Sequence, residues 1–220
     1  FGLESADPAV LAAHRVETTP EETLAAVRLM NEIGGRREAG IPKLLPGLNF
    51  LHGLQGERPE TLEINFRYLQ NLMDQGLMVR RINIRQVLPV GGYKPVRIDA
   101  RRFQAYKDKV NEEINKPMLR RVFPNGTILR NVHIEEVKGQ VSFGRQLGSY
   151  PILVGIPGEI TVGTILDVGI IEHGYRSVTG LPVPFYINRA SVAQLEAIPG
   201  MGRKRATRVF LAQPIRDAHH

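Results

Sequence analysis

The sequence contains no cysteine, which excludes disulfides, zinc ribbons and any iron–sulfur cluster ligated by these residues. No apolar run approaches the roughly 18 to 20 residues needed to cross a bilayer. No basic leader precedes an apolar segment at the start. A cytoplasmic protein with no membrane partner is therefore expected. Fixed-period repeats and low-complexity tracts are also missing. "GLQGE" lacks the lysine and spacing of a phosphate-binding P-loop, and Gly-Gly at 34–35 and 91–92 are turn signals. No Ser-His-Asp arrangement can be assembled from the sequence. His133 and His173 have no companion at metal-ligand spacing and read as ordinary histidines.

What is present fits a globular chain of one to three domains: 220 residues, 42% hydrophobic and 23% charged. The net charge is +7, and its placement is uneven. From Tyr175 onward there are seven Arg/Lys against two Asp/Glu, so that stretch holds +5 of the +7. A tail this basic favours a polyanion as partner, with a merely solvated surface as the alternative.

The first half alternates strands and helices. Phe1-Gly2-Leu3 reads as a buried strand already under way, closed by the turn signal Asp7-Pro8. "TTPEETLAAVRLMNEIGG" carries a capping box, with Thr19 as N-cap, Pro20 in the first turn and Glu22 reaching back. Leu24, Val27 and Ile33 recur at helical spacing until Gly34. "KLLPGLNFLHGL" is a second apolar strand, Pro59 to Gln75 a second helix, and "LMVRRINIRQV" a third strand. In that strand Val79, Arg81, Asn83 and Arg85 share one face. A third helix is expected from Asp99 to Asn115. Such alternation implies parallel pairing. After Lys116-Pro117 the pattern changes to short glycine-punctuated runs, "TILRNVHIEEV", "PILVGI", "TILDVGIIEH" and "YRSVTGLP", which read as a small barrel or sandwich. Pro182 and Pro184 lead into a helical tail. The expected fold class is α/β plus a β-barrel plus an α-helical end.

The tail holds the most specific motif, "INRASVAQLEAIPGMGRKRATRVF". Ser191 caps a short helix with Gln194 as its reciprocal partner, Leu195 and Ile198 face a core, and Pro199-Gly200-Met201-Gly202 turns the chain. Ala206, Val209 and Phe210 supply the apolar face of the next helix. Arg203, Lys204 and Arg205 crowd the start of that helix, where each cation opposes the macrodipole by about 0.3–1 kcal/mol. A bound phosphate would reverse the sign of that cost. The stretch resembles the helix-hairpin-helix motif. The resemblance implies that Gly200, Met201 and Gly202 donate amides and that Lys204 and Arg205 contact the phosphates of DNA or RNA. A hairpin used only for packing is the alternative.

Within residues 141–182, Gly144-Arg145, Leu153-Val154-Gly155, Asp167-Val168-Gly169-Ile170 and Ser177-Val178-Thr179-Gly180 resemble a TRAM-type barrel, a small OB-like RNA-associated domain. The resemblance implies a surface offering Arg145, Tyr150, Tyr175 and Arg176 to a polyanion. A barrel that only links two functional ends is the alternative.

At the front, Gly2-Leu3-Glu4-Ser5, then Leu51-His52-Gly53-Leu54-Gln55-Gly56-Glu57, then the strand with Asn83, form an ordered set. It resembles the second half of a radical S-adenosylmethionine (radical SAM) enzyme, a partial TIM-like (β/α) barrel. The resemblance implies S-adenosylmethionine (SAM) as cofactor, with Glu4, Ser5, Gly53, Glu57 and Asn83 around it at the carboxyl ends of parallel strands. It also implies a 4Fe-4S cluster on Cys-x3-Cys-x2-Cys, which this sequence lacks. The cluster ligands are therefore expected in a missing amino-terminal half of the same protein, with Phe1 an internal residue and these residues inactive alone. The expected domains are 1–116 for the partial barrel, 117–184 for the β-barrel and 185–220 for the hairpin. A non-enzymatic DNA- or RNA-binding protein is the alternative. His219-His220 is either native or a tag remnant.

Overall fold

Asp7 and Thr19 each stand before a proline, and each starts a helix. The computed structural model describes residues 2–38, 40–148 and 151–215. Asp7 caps helix α1 (Pro8–Ala13) by accepting from the Ala9 amide at 3.0 Å. The Asp7-Pro8 pair is thus a helix start and not only a turn, because proline needs no amide partner in the first turn. Thr19 and Glu22 cap helix α2 (Pro20–Gly34) reciprocally at 3.1 and 2.8 Å, the box legible in the sequence. Val27 is fully buried on this helix, whereas Ile33 is exposed. The chain divides into two compact units, Phe1–Val122 and Phe123–His220.

In the first unit a minimal antiparallel pair, β1 (Arg37–Glu38) and β2 (Ile41–Pro42), precedes strand β3 (Gly47–His52). Helix α3 (Thr61–Asp74) crosses back to strand β4 (Arg81–Gln86), which pairs with β3 in parallel from Gly47↔Arg81 to His52↔Gln86. Glu4 bridges Phe50 in parallel, its amide donating to the Asn49 carbonyl (3.0 Å) and its carbonyl accepting from the Leu51 amide (2.9 Å). Three parallel segments therefore lie in chain order. Among the described residues neither outer segment pairs with a further strand. Leu48, Phe50 and Ile82 are buried, as are Phe66, Leu69 and Leu72 of α3. Asn49, Arg81 and Arg85 alternate with them and are exposed, as a period of two requires.

The helix expected to stop at Asn115 runs on. Helix α4 (Ala100–Val110) passes through a π-helical turn at Asn111–Asn115 into helix α5 (Lys116–Val122). Pro117 lacks an amide and would crowd the carbonyl four residues back in a regular helix. The wider π turn just before it relieves both defects. The first unit consequently extends to Val122.

The second unit is built on a closed five-stranded barrel: β5 (Ile128–Lys138), β6 (Val141–Gln146), β7 (Leu153–Pro157), β8 (Ile165–His173) and β9 (Ser177–Val183), in the order β5-β6-β7-β9-β8. All neighbours are antiparallel except β7 and β9. Strand β5 pairs with both β8 and β6, and bulges at Leu129/Val132 and Ile134/Glu136 give it the bend that closure needs. Valine, leucine and isoleucine from β5, β7, β8 and β9 fill the interior, including Leu129, Val132, Ile134, Ile156 and Val168, while β6 buries Ser142 and Gly144. Gly180 is required by space: a Cβ there would lie 2.3 Å from Val168 Cγ1 and 2.8 Å from the Gly169 carbonyl oxygen.

A 3₁₀ turn (Ile187–Arg189) leads to helix α6 (Val192–Glu196) and helix α7 (Gly202–Leu211). Ser191 and Gln194 cap α6 reciprocally at 3.2 and 3.0 Å. Ala190, Leu195 and Ala206 form a small core, with Phe185, Val192, Ile198, Met201 and Val209 packed on it. Phe210, read from the sequence as part of the apolar face, is exposed instead. Among the described residues no helix is long and apolar enough to cross a membrane.

Candidate functional site

Glu4, Ser5, Gly53 and Glu57 gather at the carboxyl ends of the parallel segments, where α3 holds the chain by polar contacts, whereas Asn83 lies mid-strand in β4 opposite Asn49. Ser5 is fully buried; its hydroxyl donates to Asn65 Oδ1 (3.2 Å) and accepts from the Asp7 amide (3.1 Å). The Ala6 amide donates to the same Asn65 oxygen at 2.7 Å. Asp7 Oδ2 accepts from the Thr61 hydroxyl at 2.6 Å, and the Arg58 guanidinium stands 3.4 Å away. Burial pushes the Asp7 carboxyl up, but the Thr61 and Ala9 hydrogen bonds and Arg58 outweigh it and hold the group below the usual range. Ser5 is thus occupied in fastening its strand end to α3.

Glu4 sits in the left-handed region (φ 62°), and its Oε2 is buried with no hydrogen-bond partner among the described residues. Burial pushes its carboxyl up. Gly53 also needs positive φ (92°), and a Cβ there would meet Pro95, Val96 and Ile98 at 3.5–3.8 Å. Asn83 Nδ2 donates to Asn49 Oδ1 at 2.8 Å across the β3–β4 pair. Glu57 is engaged on both oxygens, one with His52 Nδ1 (2.7 Å) and the other with the Gly53 amide. His52 is fully buried, with its ring centroid 5.3 Å from Phe103 and 5.2 Å from Tyr106. Glu57 is therefore a clasp that fixes the turn after β3. Asn65 and Asp7 escape sequence reasoning, because their partners lie up to 60 residues away, and His52 because its contact with Glu57, five residues on, depends on the turn after β3.

In the second unit the turn before α7 places Gly200 at φ 81° and Gly202 at φ 64°, each with open space where a Cβ would go. The Met201 amide is used inside the turn, donating to the Ile198 carbonyl at 2.9 Å. No side chain caps α7, so its first-turn amides, beginning at Gly202, point outward as donors. Lys204 is exposed, and Arg205 Nη1 braces the turn by donating to the Gly200 carbonyl at 3.0 Å. The sequence candidates therefore do converge on one turn, with Met201 contributing packing and not an amide.

The barrel surface is less simply basic than its residues suggest. Arg145 is paired with Glu135, and Arg130 with Asp167 at 2.5 Å. Hydrogen bonds from the Asn131 amide and from Arg130 hold the Asp167 carboxyl below the usual range. Tyr175 is exposed, and Tyr150 lies outside the described residues, as do Phe1 and His219-His220. His173 is a core residue whose Nε2 meets the Phe123 carbonyl oxygen at 2.6 Å. Among the described residues no group of histidine, aspartate and glutamate side chains is placed to hold a metal ion.

No protein-family model matches the chain. It is 50% identical over 190 residues to the uncharacterized protein MJ0274 of Methanocaldococcus jannaschii, a match covering 82% of this chain and 35% of that protein. It is 38% identical over 224 residues to an uncharacterized protein of Archaeoglobus fulgidus, covering 98% of this chain and 41% of that protein. The chain is thus similar to archaeal proteins more than twice the length of the stretch they share with it, and spans about two-fifths of them or less.

Proposed function

We propose that the chain is the carboxy-terminal part of a radical SAM enzyme, with a second unit that holds nucleic acid in a cytoplasmic setting. The observation that carries the enzyme half is the sheet: three parallel segments in chain order, with no further strand beside either outer one among the described residues. This supports reading the segments as the last strands of a partial (β/α) barrel, with ligands expected at the carboxyl ends. Archaeal relatives more than twice as long leave room for the remaining strands.

The residues fit the cofactor unequally. Glu4 offers a buried oxygen with no hydrogen-bond partner among the described residues, Gly53 a strand-end position without a side chain whose amide and carbonyl are already engaged by Glu57 and the Val96 amide, and Asn83 with Asn49 a polar face on the sheet. Ser5 and Glu57 position these groups, being already engaged with Asn65, His52 and Gly53. SAM, when bound, supplies radical chemistry on reduction by a cluster whose cysteines lie outside this sequence.

Two features support the nucleic-acid half. A closed five-stranded barrel with one parallel pair supports the reading as an OB- or TRAM-like domain. The α6–α7 turn, with two positive-φ glycines and the cations Lys204 and Arg205 at one uncapped helix start, supports the reading as a helix-hairpin-helix.

The test uses the full-length protein, reconstituted anaerobically with iron and sulfide. It is expected to bind SAM and, on reduction, to release 5′-deoxyadenosine; failure of both refutes the enzyme half. For the other half, replacing Lys204 and Arg205 with alanine should lower the log–log salt slope of nucleic-acid binding by about 0.7–0.9 per lost phosphate contact. An unchanged slope removes these residues from the interface. Nucleic-acid binding without SAM binding would leave a non-enzymatic binding protein.

A further inference from the structure

The short connection between barrel and helices carries a feature that phosphate contacts do not explain. Phe185 packs into the Ala190–Leu195–Ala206 core, while its neighbour Tyr186 is 61% exposed. The Arg189 guanidinium lies over the Tyr186 ring at 5.7 Å. Residues Phe185 to Arg189 line a cavity of about 380 Å³. The connection is also firmly held. Asn188 exchanges hydrogen bonds with the Ile215 backbone at 2.8 and 3.2 Å, and Gln213 donates to the Ala190 carbonyl at 3.1 Å. An aromatic face held out on a braced loop, with a cation beside it, has its orientation fixed before any ligand arrives.

We propose that Tyr186 and Arg189 form a stacking platform for an unpaired nucleobase, so that the second unit takes single-stranded nucleic acid. This rests on the reading of that unit as nucleic-acid binding and narrows its substrate. The charge favours a polyanion: between Tyr175 and Ile215 the only carboxylate side chain is Glu196, against six Arg/Lys. A flat ring beside a guanidinium suits a π-face, which every base possesses and which a duplex keeps inside its stack. The spacing is also informative. Gln213 joins the platform loop to the carboxyl end of α7, while the turn with Lys204 lies at the amino end. Ten helical residues separate the two by about 15 Å.

The experiment titrates the whole chain with a fluorescein-labelled single-stranded oligonucleotide of about 12 nucleotides and with a duplex of the same length. Tyr186→Ala is expected to weaken single-strand binding about 5- to 150-fold with the salt slope unchanged, because stacking releases no counterions. Tyr186→Phe is expected to bind as wild type, since the ring and not the hydroxyl stacks. Duplex binding should be nearly indifferent to both. An unaltered single-strand affinity in Tyr186→Ala overturns the platform while leaving the phosphate turn standing. Equal losses on single strand and duplex also overturn it, as Tyr186 would then merely position the helices. Failure of the wild type to bind either probe sinks the nucleic-acid reading and the platform together. Because Tyr186 is exposed, an unchanged circular dichroism melt checks that Tyr186→Ala is folded.

Discussion

Replacing Asp7 tests whether the front of the chain is anchored to α3 in the way the hydrogen bonds imply. The Asp7 side chain is 1% exposed, caps α1 through the Ala9 amide, and accepts from the fully buried Thr61 hydroxyl at 2.6 Å. Asp7→Ala removes a helix cap, about 0.5–2 kcal/mol, and strands a buried hydroxyl, about 1–3 kcal/mol. The Arg58 side chain is 55% exposed, so its contact adds little. The sum is about 1.5–5 kcal/mol, a fall in melting temperature on the order of 10 °C for a unit of this size. Hydrogen exchange should speed up in α1 and the first turn of α3 while the barrel strands keep their protection. In a double-mutant cycle, Asp7→Ala and Thr61→Ala should couple by at least about 1 kcal/mol. The pH dependence has a definite sign. The folded-state pKa of Asp7 lies below its unfolded value, so its stabilisation is complete above about pH 4 and is lost as pH falls further, through the folded value. The stability gap between wild type and Asp7→Asn should therefore be flat at neutral pH and shrink below about pH 4. A melt for Asp7→Ala within about 2 °C of wild type, or a cycle with no coupling, would refute the anchoring argument.

Further changes should behave as follows. Gly180→Ala drives a Cβ to 2.3 Å from Val168 Cγ1 and should destabilise the second unit by about 1–3 kcal/mol in urea unfolding. A barrel of unchanged midpoint would mean the strands separate more easily than their packing implies. Ser191→Ala removes a capping box and should cost about 1 kcal/mol, read as faster exchange in α6 alone. Glu57→Ala releases both His52 and the Gly53 amide and should cost about 2–4 kcal/mol. Glu57→Gln, which retains one acceptor, should cost measurably less; equal losses would argue against the clasp.

The features legible in the sequence are those set by neighbours a few residues apart. The Thr19–Glu22 and Ser191–Gln194 boxes are read from residues three positions apart, and both form. The glycine-punctuated runs read equally well as barrel or sandwich. Closure depends on the β7–β9 parallel pair and on the bend in β5, and neither has a local signature. The polar anchors of the front segment were illegible for the same reason. Ser5 and Asn65 are 60 residues apart, and a buried serine looks like a surface one until its partner is known. Pro117 misleads in the other direction. Its usual meaning is a helix end, and only the π turn before it lets the helix continue.

The two aromatic residues at 185 and 186 show why site residues are harder to find than caps. In the sequence they are equivalent: a Phe-Tyr pair after a proline link, as fit for a core as for a surface. Adjacent side chains on an extended chain point opposite ways, so burial of Phe185 against Leu195 and Ala206 obliges Tyr186 to face outward. What makes that exposure more than incidental is the company it keeps. The guanidinium of Arg189 lies over its ring, and the loop is pinned by Asn188 and Gln213. A solitary exposed tyrosine needs no explanation. One whose loop is braced from the far end of the helix that presents Lys204 is tied to that helix, and Tyr186 and Lys204 should be mutated together as well as singly. If they contact one strand at separate points, their effects on single-strand affinity should be additive in free energy.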